Sequence, residues 1–253
     1  MRQALTIAGS DPSGGAGLQA DLKVFRRFGL YGFSAVAALT AQNARGVKSV
    51  MPVAAGYLRD QLTVLLSEFT PHSMKTGMLY SKENVEAVFR IVKKFSLGNL
   101  VVDPVIFSST GRRLAERGTP EAIRKRLLPI CYVVTPNIFE ASVLSGMPVK
   151  TLSDMEAAAV LLKKCGPAGV IITGGHLEKA AVDILYDGDF HYLRGRKLPG
   201  EFHGTGCAFS AAVAALLALG HSMLEAAVMA KRFVKRAIRR SFGSDTGMKL
   251  LDI

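Results

Sequence analysis

Short apolar runs recur along the chain, with longer stretches of helical spacing between them. Ala4–Ala8, Phe33–Ala37, Leu100–Asp103, Tyr132–Thr135 and Val170–Thr173 read as buried strands, each bounded by Gly, Pro, Asn or Asp. Between them, segments 17–28, 55–67, 82–95, 119–127 and 153–164 place apolar residues three and four apart, as in Val85, Val88, Phe89 and Val92, and predict crossover helices. Strands alternating with helices build a parallel sheet covered on both faces, so the pattern predicts an α/β fold. Segment 181–193, AVDILYDGDFHYL, carries Asp187-Gly188 between two alternating runs and predicts a hairpin at a sheet edge.

Composition narrows this picture. At 253 residues, nearly half of them hydrophobic and without a Pro/Ser or acidic tract, the chain reads as one domain, 1–253. No apolar run approaches the ~18–20 residues of a membrane span, and the start MRQALTIAGS lacks a signal-type pattern, so no membrane association and a cytoplasmic location are expected. Cys131, Cys165 and Cys207 lie far apart without C-x-x-C spacing, which argues against a disulfide framework or structural zinc. The net charge of +12 suits an anionic partner, phosphorylated metabolite or nucleic acid alike. Its densest stretch, Glu225–Arg240, sets Ala230, Phe233, Val234, Ala237 and Ile238 on one helical face against six basic residues. A solvated face on a packed helix is the favoured reading there, and nucleic-acid binding is not expected.

In an open parallel sheet, ligands sit beyond the carboxyl ends of the strands. Five segments there carry chemistry. Gly9-Ser10-Asp11-Pro12-Ser13-Gly14-Gly15-Ala16-Gly17 is a glycine-dense loop leading into a helix that holds Asp21; it fits a ligand-approaching backbone or a plain turn, but not the Walker or dinucleotide spacing. Thr40-Ala41-Gln42-Asn43 offers an amide to a heterocycle edge or to a turn. Asp103-Pro104-Val105 puts a carboxylate at a strand end, for metal water or a helix cap. In Thr135-Pro136-Asn137-Ile138-Phe139-Glu140, Asn137 and Glu140 lie one helical turn apart, which suits Mg²⁺ carried with nucleotide phosphates or a capping box. His203-Gly204-Thr205-Gly206-Cys207-Ala208 leads into the small-residue helix FSAAVAALLALG and is the strongest signal. Its backbone N–H groups point where charge grows on a transferring phosphoryl, and Cys207, in the first turn, is expected to have a lowered thiol pKa and to accept a proton. The alternative for Cys207 is a small buried hydrophobe.

Taken in order, ALTIAGSDPSGGAGLQADLK at 4–23, TAQN at 40–43, VVDPV at 101–105, TPNIFEA at 135–141, GGH at 174–176 and HGTGCAFSAA at 203–212 resemble the hydroxymethylpyrimidine and phosphomethylpyrimidine kinase family of thiamine biosynthesis, almost end to end. That resemblance implies a ribokinase-like three-layer α/β/α fold with a central, mostly parallel sheet. It implies ATP and Mg²⁺ as cofactors, a small-molecule ring alcohol or its phosphate as partner, and a homodimer. Gly9, Asp21, Gln42 and Val105 would hold the ring, while Gly204, Thr205 and Gly206 would form the anion hole beside the base Cys207. Thr173 and Gly175 would meet the nucleotide, and Asn137, Glu140 and Asp103 the metal.

Two departures from the family pattern stand out. Thr173 occupies the place before Gly-Gly-His where a lysine usually reaches the ATP phosphates, with Lys75 as either a partial replacement or a structural residue. The tail GSDTGMKLLDI lacks the usual Gly-rich ending with His and Pro. Because pyridoxal also carries a hydroxymethyl group, a pyridoxal or pyridoxine kinase is the nearest alternative, and a nonenzymatic pyrimidine-binding regulator the next.

Overall fold

The computed structural model describes residues 1–43, 46–175, 181–243 and 247–253. Nine strands form one sheet: β1 (Gln3–Ser10), β2 (Tyr31–Asn43), β3 (Gly46–Pro52), β4 (Ser73–Thr76), β5 (Leu100–Val102), β6 (Val133–Val134), β7 (Gly169–Ile172), β8 (Ala181–Tyr186) and β9 (Phe190–Gly195). Their spatial order is β3-β2-β1-β4-β5-β6-β7-β8-β9. The run from β2 to β7 is parallel, with β3 antiparallel at one edge and the β8–β9 hairpin at the other. The hairpin foreseen around Asp187-Gly188 is this edge pair, and Gly188 takes the positive φ its turn needs.

Period-2 alternation sorts each strand between two helical layers. Leu5, Met74, Val102, Val134, Val170 and Ile172 face α2 (Ala55–Leu66), α3 (Lys82–Lys94), α5 (Ile138–Ser145) and α6 (Leu152–Lys163), together with the short α4 (Thr119–Ala122) and the π and 3₁₀ turns that follow it. Ala4, Val101, Val133, Ile171 and Leu185 face α1 (Gly17–Arg27), α7 (Thr205–Ala218) and α8 (Met223–Arg239). The mostly parallel α/β sandwich expected from the sequence is therefore the observed fold. From Ala208 to Ala218, α7 is buried throughout, so its small residues serve close packing between the sheet and α8.

The differences from the sequence reading have local causes. Strand β2 runs well past Phe33–Ala37 because residues beyond Leu39 pair only with β3, giving a two-stranded flap that outgrows the sheet. Strand β4 escapes the apolar-run pattern because Lys75 stands in its middle. The stretch 119–127 splits into an α turn and a π turn rather than one helix. A second, small sheet joins β10 (Phe202–His203) to β12 (Lys249–Leu250) in parallel, with β11 (Phe242–Gly243) antiparallel to β12. The carboxyl tail thus pairs with the strand that enters the Gly204–Cys207 turn. On α8, Lys231 turns to Asp183 at 2.7 Å. Among the described residues no helix is long and apolar enough to cross a membrane.

Candidate active site

Because β1, β4 and β5 lie side by side in register, Thr6, Lys75 and Asp103 project from the same face of the sheet at its carboxyl end. Helix α1 brings Asp21 down onto them. The Lys75 ammonium donates to both Asp21 oxygens at 2.9 Å and lies 3.7 Å from Asp103 Oδ2. Thr6 Oγ1 donates to Asp21 Oδ2 at 2.6 Å, and Ser210 Oγ, from α7, donates to Asp103 Oδ2 at 2.7 Å. Asp21 and Lys75 are wholly out of solvent. Burial alone would discharge Lys75, but Asp21, Cys207 and Asp103 outweigh it and hold the ammonium above the ordinary lysine range. Burial pushes both Asp21 and Asp103 upward, against the pull of Lys75. Of the two readings of Lys75, this locked geometry supports the structural one, with the ammonium as counter-ion of a buried cluster.

Two helix starts converge above the cluster. Gly17 opens α1 with φ +61, and a Cβ there would sit 2.4 Å from Gly9 O; Gly204 caps α7 with φ +83, and a Cβ there would sit 1.7 Å from Gly15 O. Only glycine fits either place, so the first glycine loop and the Gly204 turn touch backbone to backbone. The α7 ladder starts with Ala208 N–H donating to Gly204 O, which leaves the N–H groups of Thr205, Gly206 and Cys207 ahead of it at the helix's positive end. Cys207 is half-buried. The expectation of a lowered thiol pKa is overturned: burial pushes it up to about 12, with Asp103 and Asp21 adding to the rise, while Lys75 and the Gly17 N–H pull the other way. The helix start is present, but the carboxylates beneath it and the loss of water outweigh it.

The other residues expected to hold a ring lie near the carboxyl end of β1, on the β2–β3 flap and just after β5. Gly9 is buried against Met78, whose Cε would lie 2.4 Å from a Cβ at that position. Gln42 sits half-buried on the β2–β3 flap, beside a register shift between Ala41 and Gln42. Thr40 Oγ1 donates to Ser10 O at 2.7 Å and so ties the flap to the glycine loop. Val105 has φ +30, a strained conformation for a β-branched residue, and such strain gathers at functional sites.

At the ends of β6 and β7 the structure shows the capping arrangement that competed with the metal reading. Asn137 Oδ1 accepts from the Phe139 and Glu140 N–H groups, and Glu140 Oε2 accepts from Asn137 N–H. Glu140 Oε1 also accepts from Ile106 N–H at 3.1 Å. Burial, and after it the charge of Asp103, pushes Glu140 up to about 8. Among the described residues no group of three or more His, Cys, Asp or Glu side chains is placed to hold a metal directly. Thr173 bridges to Asn137 and donates its N–H to Pro136 O at 3.0 Å, while Gly175 lies exposed beyond it. Gly174 N–H donates to Asp183 Oδ1 at 3.0 Å, and Asp183 Oδ2 takes Lys231. His176, the last residue of the Gly-Gly-His motif, lies outside the described residues.

Asp21, Asp103 and Cys207 are thus brought into one cluster, and Glu140 adjoins it through Asp103; Thr173 lies beside Asn137, and Gly175 is exposed. Sequence reading passed over Asp183, Ser210, Asp11 and the role of His203. An acid inside the apolar run AVDILY was the available signal for the first of these.

The phosphomethylpyrimidine kinase family model matches residues 11–252. The chain belongs to that family. It is 38% identical over 253 residues to the hydroxymethylpyrimidine/phosphomethylpyrimidine kinase of Bacillus subtilis, covering 97% of this chain and 92% of that protein. It is 43% identical to the thiamine biosynthesis bifunctional protein ThiED of Geobacter sulfurreducens over 93% of this chain, and spans about half, 49%, of that longer protein. Among solved structures, the Staphylococcus aureus pyridoxal kinase in complex with AMP-PCP and pyridoxal superposes with a TM-score of 0.91 at 37% identity, covering 100% of this chain and 93% of that one. The phosphotransferase family and its ribokinase-like fold agree with what the motifs implied.

Proposed function

We propose that this chain transfers the γ-phosphoryl group of ATP to the hydroxymethyl arm of 4-amino-5-hydroxymethyl-2-methylpyrimidine, and then phosphorylates the monophosphate to the diphosphate, in thiamine biosynthesis. One observation carries the reading: the α1 and α7 starts converge, glycine against glycine, directly over the buried Lys75, Asp21, Asp103 and Cys207 cluster. Such a turn aims N–H dipoles at charge developing on the transferred group, and for phosphoryl transfer positioning and charge neutralisation supply most of the catalysis.

In this reading Gly204, Thr205 and Gly206 hold the γ-phosphoryl, and Gly9, Asp21, Gln42 and Val105 orient the ring. Cys207 takes the hydroxyl proton. Its thiol, held near 12 in the free protein, must first release its own proton, so turnover through it rises with pH. Thr173 and Gly175 border the nucleotide. The acidic pair Asp103 and Glu140 suits Mg²⁺: burial and Asp103 have pushed Glu140 up to about 8, so an added cation would relieve a disfavoured charge. Mg²⁺ would neutralise phosphate charge when bound, held through water by Glu140, Asn137 and Asp103. A homodimer acting in the cytoplasm on small molecules, not nucleic acid, completes the proposal; light scattering tests the first part.

A second reading, pyridoxal kinase, is favoured by the superposition on the S. aureus enzyme with pyridoxal bound. Measuring kcat/KM for both ring alcohols with Mg-ATP separates them. A higher value for the pyrimidine supports the first reading, a higher value for pyridoxal the second, and ring binding without any phosphorylated product would leave a nonenzymatic regulator.

A further inference from the structure

His203 stands where three loops meet. Its Nε2 lies 2.9 Å from Asp11 Oδ2, and its Nδ1 lies 3.3 Å from Ser109 Oγ. Asp11 belongs to the first glycine loop, Ser109 to the hairpin after β5, and His203 is the residue immediately before Gly204. The Asp11 carboxylate also accepts from the Ser13 N–H and hydroxyl and from the Ala16 N–H. Despite the opposing effect of burial, these partners, led by His203, hold Asp11 down at about 2. A carboxylate can only accept, so Nε2 carries the proton and donates it. Both residues are nearly shut off from solvent, with side chains 11% and 3% exposed.

The contact is set on all sides. A Cβ on Gly15 would sit 2.6 Å from His203 Cδ2 and 2.6 Å from Leu250 Cδ2, so the imidazole packs closely against the glycine loop. Strand β12 pairs His203 with Leu250. The Ser109 hairpin closes on itself through Ser108 N–H to Arg112 O at 2.8 Å, and Arg112 donates to Lys48 O at 2.8 Å on the β2–β3 flap. One imidazole therefore links the loop that would hold the ring, the turn that would hold the phosphoryl group, and, through Ser109 and Arg112, the flap that carries Gln42.

We propose that His203 is a positioning residue for phosphoryl transfer, fixing the Gly204–Cys207 turn against the acceptor loop through its hydrogen bonds to Asp11 and Ser109. This inference rests on the kinase reading above. In-line transfer depends on the distance between acceptor oxygen and phosphorus, and a misplacement of ~1 Å costs on the order of 10²-fold in rate. In this role it acts through Gly204 and Asp11.

The test compares wild type, His203→Ala and His203→Gln in steady-state kinetics with Mg-ATP and the ring alcohol. His203→Ala is expected to lower kcat by ~10–100-fold while each KM stays within ~3-fold, and His203→Gln, which keeps a donor toward Asp11, is expected to recover most of the loss. An unchanged kcat in His203→Ala, or no recovery in His203→Gln when both are folded, overturns the proposal. A second readout does not need activity: ¹⁵N NMR of the wild-type histidines should show the His203 Nε2–H protected from exchange, and Asp11→Asn should remove that protection. A freely exchanging Nε2–H in wild type overturns the positioning role. If wild type phosphorylates no ring alcohol while the Nε2–H is protected, the kinase reading fails and the His203–Asp11 link stands.

Discussion

Lys75 Nζ lies 2.9 Å from both oxygens of Asp21, and neither side chain reaches solvent. A buried pair of this kind does little for net stability, but breaking it from one side leaves an uncompensated charge. Lys75→Met should therefore cost roughly 3–5 kcal/mol in urea unfolding. Lys75→Met combined with Asp21→Asn should recover most of that stability without restoring turnover, because the charge beneath the α7 start is still missing. A double variant as destabilised as the single one would show that the pairing does not set the cost.

Glu140 makes stability depend on pH with a definite sign. Its folded-state pKa is raised from 4.5 to about 8 by burial and then by Asp103. The protonated form is thus favoured on folding, and this contribution is full below pH 4.5 and lost as pH rises through 8. Glu140→Gln should flatten that decline in a series of denaturation midpoints. Mg²⁺ should bind more tightly to wild type as pH rises over the same window, and the variant should lose that trend; an identical Mg²⁺ profile in the two proteins would take Glu140 away from the metal.

Cys207 gives a kinetic counterpart. With its thiol held near 12, alkylation of Cys207 in the free protein should run at least ~10-fold slower at neutral pH than that of an ordinary thiol of pKa ~8.5. Cys207→Ala should lower kcat much more than it raises either KM, and should abolish the rise of kcat with pH. A variant with normal turnover would remove Cys207 from proton transfer.

Thr173 bridges Asn137 and offers no fixed cation. Thr173→Lys should improve kcat/KM for ATP or for the phosphorylated acceptor, by about tenfold if one phosphate contact worth ~1.4 kcal/mol is gained. No gain in either would mean that another group already serves there.

The layers of the fold were legible because apolar alternation and helical spacing are local properties. Strand β4 was not, since a strand whose central residue is a buried lysine contradicts the pattern that marks strands, and it takes Asp21, 54 residues away, together with Cys207 and Asp103 to make that lysine tolerable. The glycine turns were visible as chemistry, but their contact, Gly204 against Gly15 O, depends on chain segments nearly two hundred positions apart. For Cys207 the sequence revealed the helix start but hid the burial that raises its pKa and the two carboxylates that add to the rise, so the direction is the reverse of the one expected. Asn137 and Glu140 were recognisable as a pair that could form a capping box; the further bond from Ile106 N–H to Glu140 appears only in the folded chain.

The most direct test of the central proposal is mass spectrometry of the products formed from Mg-ATP and 4-amino-5-hydroxymethyl-2-methylpyrimidine over time. A monophosphate that appears first and is then consumed into a diphosphate is the expected result. A pyrimidine left unmodified while pyridoxal is converted to its phosphate would contradict it.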